Sequence, residues 1–542
     1  MCRNDAGSRY AREHARSDRP ERVMENLVTL LRAAAEQWPD AEALRFDATG
    51  EALSFSEFDR QSGEMAAGLV AAGIGPGDRV AVCSANHSLF PLAWFATIKA
   101  GAIMVPVNIG YRAEDARHIL EHAEPAALFC DADRVTLFDG LRGALPSLRL
   151  LVTPDDAGVE GWQTLAELVA RGAETISPII ERDDITNIQF TSGTSGLPKG
   201  CMLSHAYWIE LARSVDEEVK SLAAGETMLT AQAFSYLDPQ WAFVLTLMKG
   251  GRLVVLDRFR PSELWSKIAH YDARFFYCLA AMPLMLLSRP PSPAEREHRL
   301  GAIMCSAIPA DRHREMEERF AVPWVEAYGS TETGSDLGVR WPDHAATVGM
   351  GTIGKPLPRR EAMLVDEAFG EVPRGEAGEL LVRSPAMMKG YWRNDAATRE
   401  VFHEGWYRTG DMARQDPNGY YYLVGRRKDM IRRGGENIAA NEVETILQQH
   451  PAVLLAACIA VPDALRNEEV KAFIVPRRTV GAAELADFLQ DRIAGFKIPR
   501  YWAFVEALPM TPSERVAKPK LSRDVGEGVH DLQSGVAAVP PR

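Results

Sequence analysis

No uninterrupted apolar run in the chain reaches the ~18 residues that a membrane-spanning helix needs. An apolar leader is missing as well: the first twenty or so residues are rich in Arg, Asp, Glu and Ser, so the expectation is a cytoplasmic protein with no membrane partner. Cysteine is scarce, seven in 542 residues, and without paired or metal-like spacing. Cys83, Cys130, Cys278, Cys305 and Cys458 sit among apolar neighbours and read as reduced core residues, which argues against a disulfide framework. An extended basic stripe is also lacking. The formal net charge is −13, and Arg426-Arg427-Lys428 and Arg432-Arg433 are local clusters, which argues against a nucleic-acid partner. No internal repeat is present.

What the chain does have is apolar content, 46% of residues, enough for a large core and more than one domain. Short apolar runs alternate with helical patterns. Arg79 to Ser84 reads as a strand, Leu89 to Ala100 as a helix and Ala102 to Val107 as a strand; Gly251 to Leu256, Ser262 to His270 and Phe275 to Leu279 repeat the order. Asn441 to His450 and Ala482 to Ile493 read as helices around strands at Val453 to Val461 and Val470 to Val475. The predicted fold class is therefore a large N-terminal α/β domain of layered sheets and helices followed by a small α+β C-terminal domain. The expected boundaries are a disordered lead-in over 1–20, the large domain over 21–424, a hinge over 425–430, the small domain over 431–523 and a disordered tail over 524–542.

The most informative segment is Thr191-Ser192-Gly193-Thr194-Ser195-Gly196-Leu197-Pro198-Lys199-Gly200. Gly193 and Gly196 allow tight backbone turns that point N–H groups inward, the hydroxyls of Thr191, Ser192, Thr194 and Ser195 add donors, and Lys199 adds charge. That set suits the oxygens of a triphosphate. A Walker-type loop needs glycine before its lysine and Ser or Thr after it; Pro198 and Gly200 stand there instead, so this is a different nucleotide loop.

The segment resembles the signature loop of the adenylate-forming superfamily, which includes acyl-CoA synthetases, luciferases and peptide-synthetase adenylation domains. Three further blocks resemble that family in the same order: Tyr328-Gly329-Ser330-Thr331-Glu332-Thr333, Tyr407 to Asp411, and Gly425 to Asp429. The resemblance implies ATP or an acyl-adenylate, Mg²⁺ and coenzyme A as cofactors. It places Lys199 and its hydroxyl neighbours on the β- and γ-phosphates, Tyr328, Gly329 and Ser330 with Ser306 and Ala307 around the adenine and acid, Thr331 at the α-phosphate and Glu332 on Mg²⁺. It assigns Asp411 to the ribose hydroxyls and Arg426 to the ribose-phosphate side, and makes Lys428 the pivot of a mobile small domain. Gly434-Gly435 resembles the glycine pair that lines the pantetheine path, which favours CoA as acceptor, and Phe496, Lys497 and Arg500 resemble the segment near the CoA nucleotide. The acid pocket is expected around Phe234, Ser235, Tyr236 and Trp241, with Ser235 where many relatives carry an aromatic or histidine gate, so that Phe234 or Tyr236 supplies the gate or it stands open. Asp238 reads as a partner for a cationic acid or as a helix N-cap before Pro239.

The chain departs from the family near its C-terminus, where a Thr-Gly-Lys-like motif carries the lysine that bridges carboxylate and α-phosphate during adenylation. Counted without a gap from Phe496-Lys497-Ile498-Pro499, that lysine position falls on Arg515 and the glycine before it on Glu514. A planar guanidinium does not replace a compact ammonium between two anions, so the adenylation half reaction is expected to be impaired or absent while thioester formation survives. A separate ligase supplying the adenylate is then implied. Three alternatives stay open: a complete ATP-dependent acyl-CoA synthetase with Lys518 or Lys520 in the lysine role or Arg515 merely slower, an adenylating enzyme that loads a carrier protein, and a non-catalytic nucleotide-binding protein. Monomer and homodimer are both compatible with the resemblance.

Overall fold

The computed structural model describes residues 25–172, 178–191, 198–218, 222–279, 282–433, 436–463, 466–490, 492–511 and 516–532. Its N-terminal part is built on two large sheets. The first runs, in spatial order, through Gln163–Thr164, Leu150–Thr153, Ala127–Cys130, Arg79–Cys83, Ile103–Pro106, Ile185–Thr191 and Lys199–Ser204. It is parallel except for the final antiparallel hairpin. The second has nine strands, and its parallel centre includes Trp324–Ser330, Ala302–Ser306, Ala273–Leu279, Thr227–Thr230 and Arg252–Val255. The buried strands read as continuous apolar runs, as parallel sheets covered on both faces require.

The helix Leu89–Lys99 shows why the layers hold. Every residue from Leu89 to Ile98 is buried, so the helix is apolar all round rather than striped. Each such Leu or Phe contributes roughly 1.5–3 kcal/mol of transfer free energy. Leu237–Lys249 is likewise buried from Pro239 to Leu247. Among these apolar side chains runs a polar chain: Trp94 Nε1 donates to Asn187 Oδ1 at 2.9 Å, and Asn187 Nδ2 donates to Gln240 Oε1 at 2.8 Å. Gln240 Nε2 then donates to the carbonyls of Phe234 (2.8 Å) and Tyr236 (3.1 Å), while Gln189 Nε2 donates to that of Ser235 (2.7 Å). Buried amides without partners are costly, and here they are met by pinning the 234–236 segment.

A third, antiparallel sheet contains Glu361–Val365, Ala377–Arg383, Trp406–Gln415 and Tyr421–Arg426. The fourth belongs to the smaller C-terminal α+β part and carries Met430–Arg433, Glu436–Ala439, Val453–Asp463, Asn467–Pro476 and Tyr501–Phe504, packed by the helices Ala440–Gln448 and Ala482–Gln490. The strands and helices read from the sequence over 79–107, 251–279 and 441–493 are found within one to three residues at each end.

The expected tail requires a correction. Val529–Asp531 forms an edge strand antiparallel to Tyr501–Phe504, Asp531 takes Arg500 at 2.9 Å, and the buried Lys471 ammonium binds the Ser522 carbonyl at 3.0 Å. Polar composition hid this because the partners are supplied from distant strands. The lead-in lies outside the described residues. Cys83, Cys130, Cys201, Cys278, Cys305 and Cys458 are free, buried thiols, and among the described residues no helix is long and apolar enough to cross a membrane.

Candidate active site

The Ile185–Thr191 and Lys199–Ser204 strands close as a hairpin whose last register pair is Thr191 with Lys199. Ser192, Gly193, Thr194, Ser195 and Gly196 fall between them and lie outside the described residues, so their phosphate role rests on sequence. Lys199 is placed. Its ammonium stands 4.3 Å from the centroid of the Tyr391 ring, and the Tyr391 hydroxyl donates to Glu332 Oε1 at 3.0 Å. The Met387–Trp392 segment reaches this position by pairing with the hairpin: Met202 N–H donates to Gly390 O and Trp392 N–H to Gly200 O, at 3.0 and 2.7 Å.

Glu332 and the half-buried Thr331 lie in the turn that joins Trp324–Ser330 to Gly334–Gly338, with Ser330 Oγ 2.9 Å from Thr333 Oγ1. The turn is tight enough that a Cβ on Gly329 would collide with the Gly334 carbonyl, so only glycine lets the two strands pair this closely. Beside it, Tyr328 Oη donates to Asp411 Oδ2 at 2.6 Å and Arg426 Nε meets Asp411 Oδ1 at 2.5 Å. Asp411 is buried, and burial, then that carboxylate, pushes the Tyr328 phenol up. Tyr328, Asp411 and Arg426, drawn from three separate blocks, are thus in direct contact.

Behind the turn, Ala307 adopts a left-handed φ of 73°. Its N–H and that of Ile308 both donate, at 2.7 Å, to the carboxylate of Glu326. Ser306 Oγ donates to Ala327 O and meets Tyr277 Oη, each at 2.9 Å. Burial pushes the Glu326 carboxyl up to about 8, against the pull of its two N–H donors. The folded state therefore holds a proton that the unfolded chain loses near ~4.3. This group's contribution to stability is present below that value and is lost as pH rises to about 8. Glu326→Gln is expected to flatten the fall of the urea midpoint over that window, leaving the slope of buried Asp336, raised to about 7 by burial.

The acid-pocket residues divide. Trp241 packs edge-on against Tyr277 with ring centroids 5.5 Å apart, and Tyr236 is half-buried. Ser235 is buried and its hydroxyl has no hydrogen-bond partner among the described residues. Phe234, one of the residues expected to gate the pocket, lies in the core. Its ring is fully buried against Phe46 and Phe90, because an aromatic side chain here fills core volume between the layers. Asp238 is not an N-cap, since the helix starts at Leu237; it accepts from Trp241 Nε1 at 3.1 Å.

In the C-terminal part, Arg500 is held by Asp463 and Asp531, and Lys497 by Glu442, so neither presents a bare cation; Phe496 packs on the small-domain core. Lys428 has its backbone in the single turn Arg427–Asp429, with nothing described of its side chain, while Gly434, Gly435 and Arg515 lie outside the described residues. Lys518 is half-buried and lies between Glu444 (2.7 Å) and Asp429 (3.3 Å). Tyr391 and the amides of Asn187, Gln189 and Gln240 were not singled out in the sequence, and no local spacing marks them.

The AMP-binding enzyme family matches residues 31–392, and the AMP-binding enzyme C-terminal domain matches residues 442–515. The sulfoacetate–CoA ligase of Cupriavidus necator is 31% identical over 92% of this chain and 98% of its own length. The feruloyl-CoA synthase of an Amycolatopsis species is 32% identical over 91% of this chain and 97% of its own length. The ATP-bound structure of MatB from Rhodopseudomonas palustris superposes with a TM-score of 0.80 at 28% identity, covering 91% of this chain and 98% of that one. The chain belongs to the AMP-binding enzyme family, that is, to the adenylate-forming superfamily, in its acyl-CoA ligase branch.

Proposed function

We propose that this protein converts an acyl-adenylate and CoA to acyl-CoA and AMP, and that its own adenylation half reaction is impaired or absent. The carrying observation is the pair Glu514-Arg515 at the position of the family's glycine and catalytic lysine. The surroundings of Lys518 support the same reading: its half-buried ammonium is paired with two carboxylates and so offers no free charge to a reacting carboxylate and phosphate. Lys520 is exposed.

In thioester formation the CoA sulfur attacks the acyl carbon, the bond to the phosphate oxygen breaks, AMP leaves as an anion and the thiol proton passes to solvent. Positioning and electrostatics carry such a step. Asp411 and Arg426 hold the ribose side of the adenylate, the Tyr328 ring lies along the adenine, and Gly329 presents bare backbone. The hard carboxylate oxygens of Glu332 would hold Mg²⁺, which would supply positive charge against the phosphate. Gly434-Gly435 leaves room for pantetheine once the small domain has turned about Lys428. The acyl group comes from a carboxylic acid, as the names of the relatives, for sulfoacetate, ferulate and crotonobetaine or carnitine, support. A separate ligase is the proposed source of the adenylate.

Two assays test this reading side by side: pyrophosphate release from ATP, Mg²⁺ and a panel of acids, and acyl-CoA formation from synthetic acyl-adenylates with CoA. Thioester from adenylates without pyrophosphate is the expected outcome. Direct synthesis from acid, ATP and CoA makes the protein a complete synthetase, and acyl transfer to a phosphopantetheine carrier in preference to CoA makes it a carrier-loading enzyme. Failure of all three leaves a nucleotide-binding protein.

A further inference from the structure

Lys199, at the start of its strand, and Glu332, in the turn after Ser330, are opposite charges that face one site, and each is close to the same side chain. In an empty site nothing would be more favourable than a direct ion pair, which would cancel the charge meant for phosphate and occupy the carboxylate meant for metal. Among the described residues Lys199 has no carboxylate within salt-bridge distance. Tyr391 stands between the two: the ammonium lies 4.3 Å from the centre of its ring, and its hydroxyl donates to Glu332 Oε1 at 3.0 Å. The side chain is fixed from behind. Tyr391 is 3% exposed, its N–H donates to Thr398 Oγ1 at 2.9 Å, and the neighbouring backbone pairs with the Lys199–Ser204 strand.

We infer that Tyr391 is a positioning residue that keeps Lys199 and Glu332 from pairing with each other, its ring face holding the ammonium and its hydroxyl holding the carboxylate, so that both remain available to a Mg²⁺-nucleotide. The inference rests on the nucleotide roles given above to Lys199 and Glu332. The two contacts use different parts of one side chain, which allows them to be separated. A ring attracts an ammonium through its negative face whether or not it carries a hydroxyl. The hydroxyl acts as donor toward Glu332, because an ionised carboxylate oxygen can only accept.

The test is isothermal titration of the full-length protein with ATP, with and without Mg²⁺, for Tyr391→Phe, Tyr391→Leu and the double variant Tyr391→Leu/Glu332→Gln. Tyr391→Phe keeps the ring and is expected to leave Mg²⁺-free ATP affinity within about twofold while raising the Mg²⁺ concentration for half-maximal binding roughly tenfold, the value of one hydrogen bond to a charged group. Tyr391→Leu removes both contacts and is expected to weaken Mg²⁺-free ATP binding about tenfold, as Lys199 closes on Glu332. Neutralising Glu332 in that background is expected to restore it. A structural loss would not do so: a double variant no better than Tyr391→Leu, or a Tyr391→Leu protein that melts lower yet binds ATP and Mg²⁺ as before, overturns the inference. Absence of Mg²⁺-dependent ATP binding in the unsubstituted protein overturns the nucleotide-site reading itself, and this inference with it.

Discussion

Arg515→Lys is expected to raise ATP-dependent adenylate formation by about 10²-fold while changing thioester formation from a supplied adenylate by less than about threefold. The size follows from what the group does in the family. A single positioned donor at developing phosphate charge carries on the order of 10²–10³ in rate. The guanidinium keeps the charge but spreads it over a rigid fork, and it cannot sit between two anions as an ammonium does. Glu514 adds a carboxylate beside the triphosphate and takes the place of a flexible glycine, so Glu514→Gly/Arg515→Lys is expected to exceed the single variant. Pyrophosphate release measures the first half reaction and acyl-CoA formation the second. Equal gains in both would mean that residue 515 acts through general stability, and no gain in either would locate the adenylation defect elsewhere.

Asp411→Ala is expected to cost the opposite way, reducing kcat/KM at least ~10²-fold in thioester formation and in the adenylation regained by Arg515→Lys, because both require the ribose of the adenylate to be held. In the protein itself the carboxylate is met by Arg426 on Oδ1 and Tyr328 on Oδ2. Its removal takes the acceptor from the half-buried Tyr328 hydroxyl, a loss of about 1.5–3 kcal/mol for a hydrogen bond to a charged group. Asp411→Asn keeps the shape and one acceptor and separates the two effects. Melting should recover most of the way while activity does not, since an amide cannot accept from two ribose hydroxyls and Arg426 together. Activity that recovers along with melting would give Asp411 a purely structural role.

The layered α/β part was legible because its signals are local. Leu89 to Ile98 is a stretch with no polar face, and apolar strands beside it leave little choice but burial between sheets. Tyr328, Glu332, Asp411 and Arg426 were legible through blocks of residue type, and the structure brings them to one place. Tyr391 was not, because its role exists only through contact with Lys199 and Glu332, which lie far from it along the chain. Asp238 was misread for a different reason: a proline two residues into a helix marks the first turn as well as the start, since the first N–H groups have no partner inside the helix. Leu237 therefore precedes Asp238 in the helix, and the carboxylate turns to Trp241 instead of to the backbone. Phe234 illustrates a third limit. Residue type could not distinguish an aromatic gate from an aromatic filling the space between Phe46 and Phe90.

The strand Val529–Asp531 lies beyond residue 515, where the match to the family's C-terminal domain ends. A protein trimmed to that match would shed the cover from one side of the small-domain sheet and expose the backbone donors and acceptors of Tyr501–Phe504. Arg500 would lose Asp531, and the Glu444 carboxylate would lose Lys518. An open strand edge beside unbalanced charge is a template for chain-to-chain association, so Val529–Asp531 acts here as a built-in guard against aggregation.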